Sequence, residues 1–205
     1  MVCQIQVLAL LAQSLTPTYT YMSAYTHDDT DGDKAKLERA TQYFQSGKYH
    51  EALLLFQPLM HKYALNQRTI AYIGVCCYYE RDYKMAIQCF AQAESTFTAF
   101  APQERSVYYY CYAESLMQQK AYTEALPLYG QYTLICHPEE KSDALFKMAV
   151  CNFRICQWQQ ALDYIALATE NNNRYGTLGK GKEQKMTDMK GECEEHLHNG
   201  TPFAE

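Results

Sequence analysis

Tyr49-His50-Glu51-Ala52-Leu53-Leu54-Leu55-Phe56 sets a pattern that returns three more times along the chain. An aromatic residue is followed three positions on by alanine, and four further on by a bulky apolar residue. Tyr49/Ala52/Phe56 becomes Tyr83/Ala86/Phe90, then Tyr122/Ala125/Tyr129, then Trp158/Ala161/Ile165. Steps of three and four keep these residues on one helical face. The alanines stand 34, 39 and 36 residues apart, a period that marks a helix-turn-helix solenoid. Each also has a small residue twelve positions earlier, at Ala40, Gly74, Ala113 and Ala149. Small side chains on both helices let a pair approach closely, while the aromatic and bulky positions fill the joint to the next pair.

Working outward, the first helix is expected from Lys34, with Asp33 as N-cap, to about Gln45. Ser46-Gly47-Lys48 is the turn, its glycine suited to a left-handed residue, and the second helix runs from Tyr49 to about Tyr63. The repeats are read as 34–64, 66–97, 105–136 and 139–170, turning at Glu80-Arg81-Asp82 in the second and near Cys156-Gln157 in the fourth. Thr98 to Glu104, with Pro102, is read as a longer connection. Pro58 and Pro127 fall inside helices, where a missing N–H favours a bend. Residues 171–182 are polar and glycine-rich, hence a flexible connector. Residues 183–205 read as a capping helix and tail, with Met186, Met189, Cys193 and Leu197 on one stripe.

Residues 1–33 stand outside the repeat. Ile5 to Leu15 is a short apolar run with no Lys or Arg before it. It has two readings: a signal-peptide core with Ala12 or Ala24 as cleavage residue, or a hydrophobic tail docked on the first helices. The first places the protein outside the cytoplasm, exported or periplasmic; the second leaves it cytoplasmic.

Composition excludes several classes. With 205 residues, 19 tyrosines and few glycines and prolines, the chain is neither disordered nor collagen-like. A net charge of −5 spread along the sequence argues against a nucleic-acid partner, which needs a basic face. No apolar run approaches the roughly 20 residues of a transmembrane span. The nine cysteines are odd in number and lack a CxxC pair, so they read as small buried hydrophobes and not as a disulfide framework.

The pattern resembles the tetratricopeptide repeat family over about Lys34 to Glu170. It departs at Lys36 and Arg39, where bulky apolar residues are expected, and at Leu59 and Tyr132, where small ones are. The resemblance implies an all-α fold: a right-handed α-solenoid of about four repeats plus the C-terminal cap. It also implies a concave groove lined by the first helix of each pair. On this sequence that face carries Phe44, Tyr78, Tyr79, Tyr110, Met117, Phe146, Phe153 and Arg154. These are mostly aromatic or aliphatic, unlike the cationic set with which some members clamp a C-terminal carboxylate, and suit apolar anchors of a peptide or helix. One argument is independent of the family. Tyr108, Tyr109, Tyr110 and Tyr112 sit on one helix where neighbours are about 100° apart, so they cannot all point inward; Tyr110 is assigned outward.

No catalytic, cofactor or metal site is expected. Gly176-Thr-Leu-Gly-Lys-Gly-Lys182 has the glycine and lysine spacing of a phosphate loop, but Glu183 stands where Ser or Thr would hold magnesium, and no strand precedes it. His196 and His198 with Cys193, Glu194 and Glu195 could hold a metal weakly; a frayed terminal helix is the preferred reading. Asn199-Gly-Thr201 spells a glycosylation sequon. The expected function is a non-catalytic scaffold binding a peptide or helix of a protein partner. The alternatives are a self-associating structural protein of the cell envelope and a regulatory module of an enzyme complex, with oligomeric state left open.

Overall fold

The computed structural model describes residues 30–200, with side chains from Gly32 on. The apolar run Ile5–Leu15 and Thr201 of the sequon lie outside the described residues. The described residues form nine α-helices and two short 3-10 segments, with no strand. The chain divides into two units, up to Ser115 and from Leu116 on.

In the first unit, α1 (Thr30–Gln45) and α2 (Tyr49–Lys62) pack as a hairpin, and α3 (Gln67–Tyr79) and α4 (Tyr83–Ala93) form a second. A 3-10 segment, Glu94–Ala99, leads to α5 (Pro102–Gln118). Helix α5 starts three residues before the expected Arg105, because proline at the first helical position has no amide to leave unsatisfied. Helix α1 also starts early, so Asp33 is not its N-cap. Asp33 instead lies buried in the first turn and accepts from Lys36 Nζ at 2.9 Å, Lys62 Nζ at 2.7 Å and the Tyr63 hydroxyl at 2.9 Å. Those donors hold its carboxyl well below the usual range and tie α1 to the end of α2. Asn66 caps α3, accepting from Thr69 N at 2.9 Å, and Asp82 caps α4 through Met85 N at 3.2 Å.

The small positions do what the spacing implied. Ala40, Ala52, Ala86, Ala113, Ala125, Ala149 and Ala161 are all fully buried. At Gly74 an added Cβ would stand 2.9 Å from the Phe90 ring. Only a glycine leaves room there.

In the second unit, α6 (Tyr122–Ile135), a 3-10 turn at Pro138–Glu140, α7 (Lys141–Arg154), α8 (Trp158–Tyr175) and α9 (Lys180–Asn199) follow in order. Helix α7 packs on α6 and α8, and α9 closes against α8 and α7. The buried cluster is aliphatic and sulfur-rich: Ala149, Ala161, Ile165, Ala168, Leu178, Met186, Met189 and Cys193, with Phe146. The twelve-residue connector expected at 171–182 is four residues, Gly176–Gly179, because α8 runs to Tyr175 and α9 begins at Lys180. Asn172 makes this possible. Its Oδ1 accepts from Leu178 N at 2.7 Å and its Nδ2 donates to Glu183 at 2.7 Å, while Gly176 takes a left-handed φ of 64° at the end of α8. Pro58 and Pro127 lie inside α2 and α6, as expected.

Candidate functional site

Each first helix ends in the same way. Gly47, Arg81, Lys120 and Cys156 take left-handed φ values of 72°, 63°, 62° and 60°. The residue after each one donates five positions back: Lys48 N to Tyr43 O, Asp82 N to Cys77 O, Ala121 N to Leu116 O and Gln157 N to Asn152 O, all at 2.9 Å. The left-handed residue itself donates three back, to Phe44, Tyr78, Met117 and Phe153 at 3.0, 3.0, 3.0 and 3.1 Å. These paired bonds are the Schellman termination. Four of the eight expected site residues therefore occupy one structural position, in the last turn of each first helix, with the backbone pinned beneath them. Sequence marked a left-handed residue only at Gly47, although it placed turns at Glu80-Arg81-Asp82 and near Cys156-Gln157 as well; Arg81, Lys120 and Cys156 adopt that conformation against the usual preference for glycine.

The side chains at this position differ. Phe44 is buried, stacked on Tyr72 at 4.2 Å between centroids and edge-on to Tyr49 at 5.9 Å. It is a core residue, which corrects the groove assignment. Phe146, two turns earlier on α7, is also buried within the second unit's core and leaves the set for the same reason. Tyr78, Tyr79, Tyr110, Met117 and Phe153 are half-buried, and Arg154 is exposed.

In the first unit the half-buried rings continue an internal stack. Tyr49 lies parallel to Tyr79 at 4.1 Å, Tyr78 meets Tyr79 edge-on at 5.2 Å, and Tyr83 tilts against Tyr78 at 6.2 Å. Burial pushes the Tyr79 hydroxyl up to about 12, and raises that of Tyr78 further. Both remain neutral phenols, able to donate or accept a hydrogen bond at physiological pH. Tyr110 stays half-buried while Tyr108, Tyr109 and Tyr112 are buried, the division expected of four tyrosines on one helix.

Arg68, placed on the same face by its position in α3, does not look outward. Its Nε lies 3.2 Å from a buried Glu104 carboxylate, and its guanidinium sits over the Phe100 ring at 4.8 Å. The Tyr108 hydroxyl donates to Glu104 at 2.6 Å. Sequence reasoning missed this buried cluster; the only trace was the four-residue spacing of Glu104 and Tyr108, a helical neighbour distance.

In the second unit, Phe153 meets Trp158 edge-on at 5.3 Å, and His196 of α9 stacks on that indole at 4.4 Å with 17° between planes. Met117 Sδ accepts from the Tyr129 hydroxyl at 3.6 Å. His196 lies in the last turn of α9, and no group of three or more His, Cys, Asp or Glu among the described residues is placed to hold a metal. Lys182 of the glycine-rich stretch is bonded to Asp143. The eight cysteines described are free thiols, six of them buried, and burial pushes Cys193 up to about 11. No described helix is long and apolar enough to cross a membrane.

The fold has relatives among solved structures. A double mutant of MamA (RS-1, ArsTM) superposes with a TM-score of 0.59 at 15% identity, covering 82% of this chain and 92% of that one. MamA from residue 41 to its end, of Desulfovibrio magneticus RS-1, gives 0.58 at 15% identity over 82% and 93%. MamA of MSR-1 gives 0.54 at 10% identity over 83% and 99%. The fold is an all-α helical-repeat solenoid. No family model and no curated protein matches the sequence; at these identities the likeness concerns the path of the chain alone.

Proposed function

We propose that this chain is a divergent tetratricopeptide-type scaffold that binds a peptide or helix of a protein partner without catalysis. The contact surface in the first unit is Tyr78, Tyr79 and Tyr110, and in the second Met117, Phe153 and Arg154. The observation that carries the reading is the repeated last turn of the first helices. Its backbone is identical in four repeats, yet its side chain is buried in one and half-buried in three. A rigid platform bearing partly exposed aromatic and thioether groups is the composition of binding hot spots. The ring faces supply apolar area with little rotamer entropy to lose, and the phenols supply hydrogen bonds at the rim.

The test replaces Tyr78, Tyr110 and Phe153 together by alanine and compares proteins captured from native lysate by wild type and variant. Far-ultraviolet circular dichroism checks that both are folded. At least one partner retained by wild type is lost from the triple variant. Identical capture by two folded proteins rejects this surface.

A further inference from the structure

Six asparagines occur in the chain, and one of them, Asn199, precedes a glycine. Four of the others are tied by their side chains. Asn66 Oδ1 accepts from Thr69 N, Asn152 Nδ2 donates to Met148 O, Asn171 Oδ1 accepts from the Ser142 hydroxyl, and Asn172 is bonded to Leu178 N and Glu183. Asn173 lies inside α8 and is followed by Arg174. Asn199 is the last residue of α9, and both it and Gly200 are exposed.

This helix end differs from the others. Where α2, α3, α6, α7 and α8 stop, the first amide past the helix is donated to the carbonyl four residues earlier: Tyr63 to Leu59, Glu80 to Cys76, Cys136 to Tyr132, Ile155 to Cys151 and Gly176 to Asn172. Among the described residues the Gly200 amide makes no such bond. Asparagine is a thermolabile residue. A backbone nitrogen outside the helical ladder, on a residue with no Cβ to obstruct it, can reach the side-chain amide that precedes it.

We propose that Asn199 is a site of spontaneous deamidation, in which the Gly200 nitrogen closes on the Asn199 side chain and the end of α9 becomes aspartate and isoaspartate. The Gly200 nitrogen gives up its proton and forms a bond to Asn199 Cγ, the bond from Cγ to Nδ2 breaks, and ammonia leaves with the proton. Water then opens the cyclic imide. Cleavage at Cγ leaves aspartate in a normal backbone, and cleavage at the Asn199 backbone carbonyl leaves isoaspartate, with the chain continuing through Cγ. The net change is amide and water to acid and ammonia. Either product sets a carboxylate at a helix C-terminus, the end that disfavours negative charge, and one added carboxylate takes the net charge from −5 to −6. Isoaspartate also inserts a backbone carbon that breaks the helical repeat. The last turn of the cap thus changes with the age of the molecule, whereas Met186, Met189 and Cys193, the buried residues of α9, lie before that turn.

The test ages freshly purified full chain in neutral and in mildly alkaline buffer at physiological temperature, alongside Asn199→Gln and Gly200→Ala. Ion exchange follows the acidic form. Peptide mapping by mass spectrometry locates the amide-to-acid change and separates aspartate from isoaspartate. Wild type accumulates the acidic form at Asn199, isoaspartate the larger share, and does so faster at the higher pH because the nitrogen must lose a proton. Asn199→Gln and Gly200→Ala accumulate it at least about tenfold more slowly, a barrier higher by ~1.4 kcal/mol. The proposal is overturned if Asn199 keeps its amide in aged wild type, or if Gly200→Ala ages at the wild-type rate.

Discussion

The two units build their interiors from different materials. In the first, a run of rings passes from Tyr72 through Phe44, Tyr49 and Tyr79 to Tyr78 and Tyr83. Beside it Phe90 lies against Phe97, Tyr108 and Tyr112. In the second, buried rings sit on α6 at Tyr129 and Tyr132. The cluster of α7 to α9 is built of alanine, isoleucine, leucine, methionine and cysteine with Phe146, and a buried asparagine organises the loop. Rings are rigid, so each one fixes its neighbours, and the first unit needs a bare glycine at position 74 to seat Phe90. Methionine and other flexible aliphatics adapt to what surrounds them. The first unit is therefore the one in which a lost side chain is hardest to heal.

That contrast can be broken by mutation. Phe90→Ala in the first unit is expected to cost about 3–5 kcal/mol, and Met189→Ala in the second about 2 kcal/mol, because the ring site cannot collapse. Equal losses in urea unfolding would show that the two interiors are equally rigid. Asn172→Ala is expected to cost about 1–3 kcal/mol, since the buried Leu178 amide loses its acceptor. Hydrogen exchange at Leu178 should rise with it, and an unchanged rate would mean that water replaces the side chain.

Smaller effects come from the turns, which the two units share. Arg81→Gly, Lys120→Gly and Cys156→Gly are each expected to gain up to about 1 kcal/mol, because relief of the left-handed strain exceeds the added chain entropy. Gly47→Ala should lose a similar amount, about 1 kcal/mol. A loss on Lys120→Gly would show that its side chain supports the turn. The smallest effect belongs to the first unit alone, where His50 Nδ1 lies 2.9 Å from the Glu80 carboxylate and its pKa is raised chiefly by that bond. A raised folded-state value places the contribution in full below about pH 6.5 and removes it as pH rises through that higher value. Wild type should exceed His50→Gln in thermal midpoint at acid pH and match it at alkaline pH. A constant difference would remove the pair from the account.

Much of this was readable from residue spacing. The repeat, the eight small positions and most helix limits follow from steps of three and four with a period near 34, which depend on helix geometry and not on partners. The helix starts at Thr30 and Pro102 and the end at Tyr175 were not readable, because Asp33, Pro102 and Asn172 each have a local meaning that a distant partner or a neighbouring residue overrides. That Tyr108, Tyr109, Tyr110 and Tyr112 are not all equally buried was legible, because angular crowding on one helix is a local property. The burial of Phe44 and Phe146 was not, since the same position in the repeat faces packing in one place and a half-open surface in another.

By itself the sequence determined that the chain is a helical repeat, where its pairs approach closely, and which aromatic residues recur. Only the tertiary structure decided that Arg81, Lys120 and Cys156 share the turn of Gly47, that Arg68 turns inward to Glu104, and that His196 stacks on Trp158. The physical reason is one of range. Periodicity is written in residues a few positions apart, whereas these three outcomes are fixed by free energies shared between groups far apart in the chain, or by packing strong enough to impose a backbone shape that the local residue disfavours.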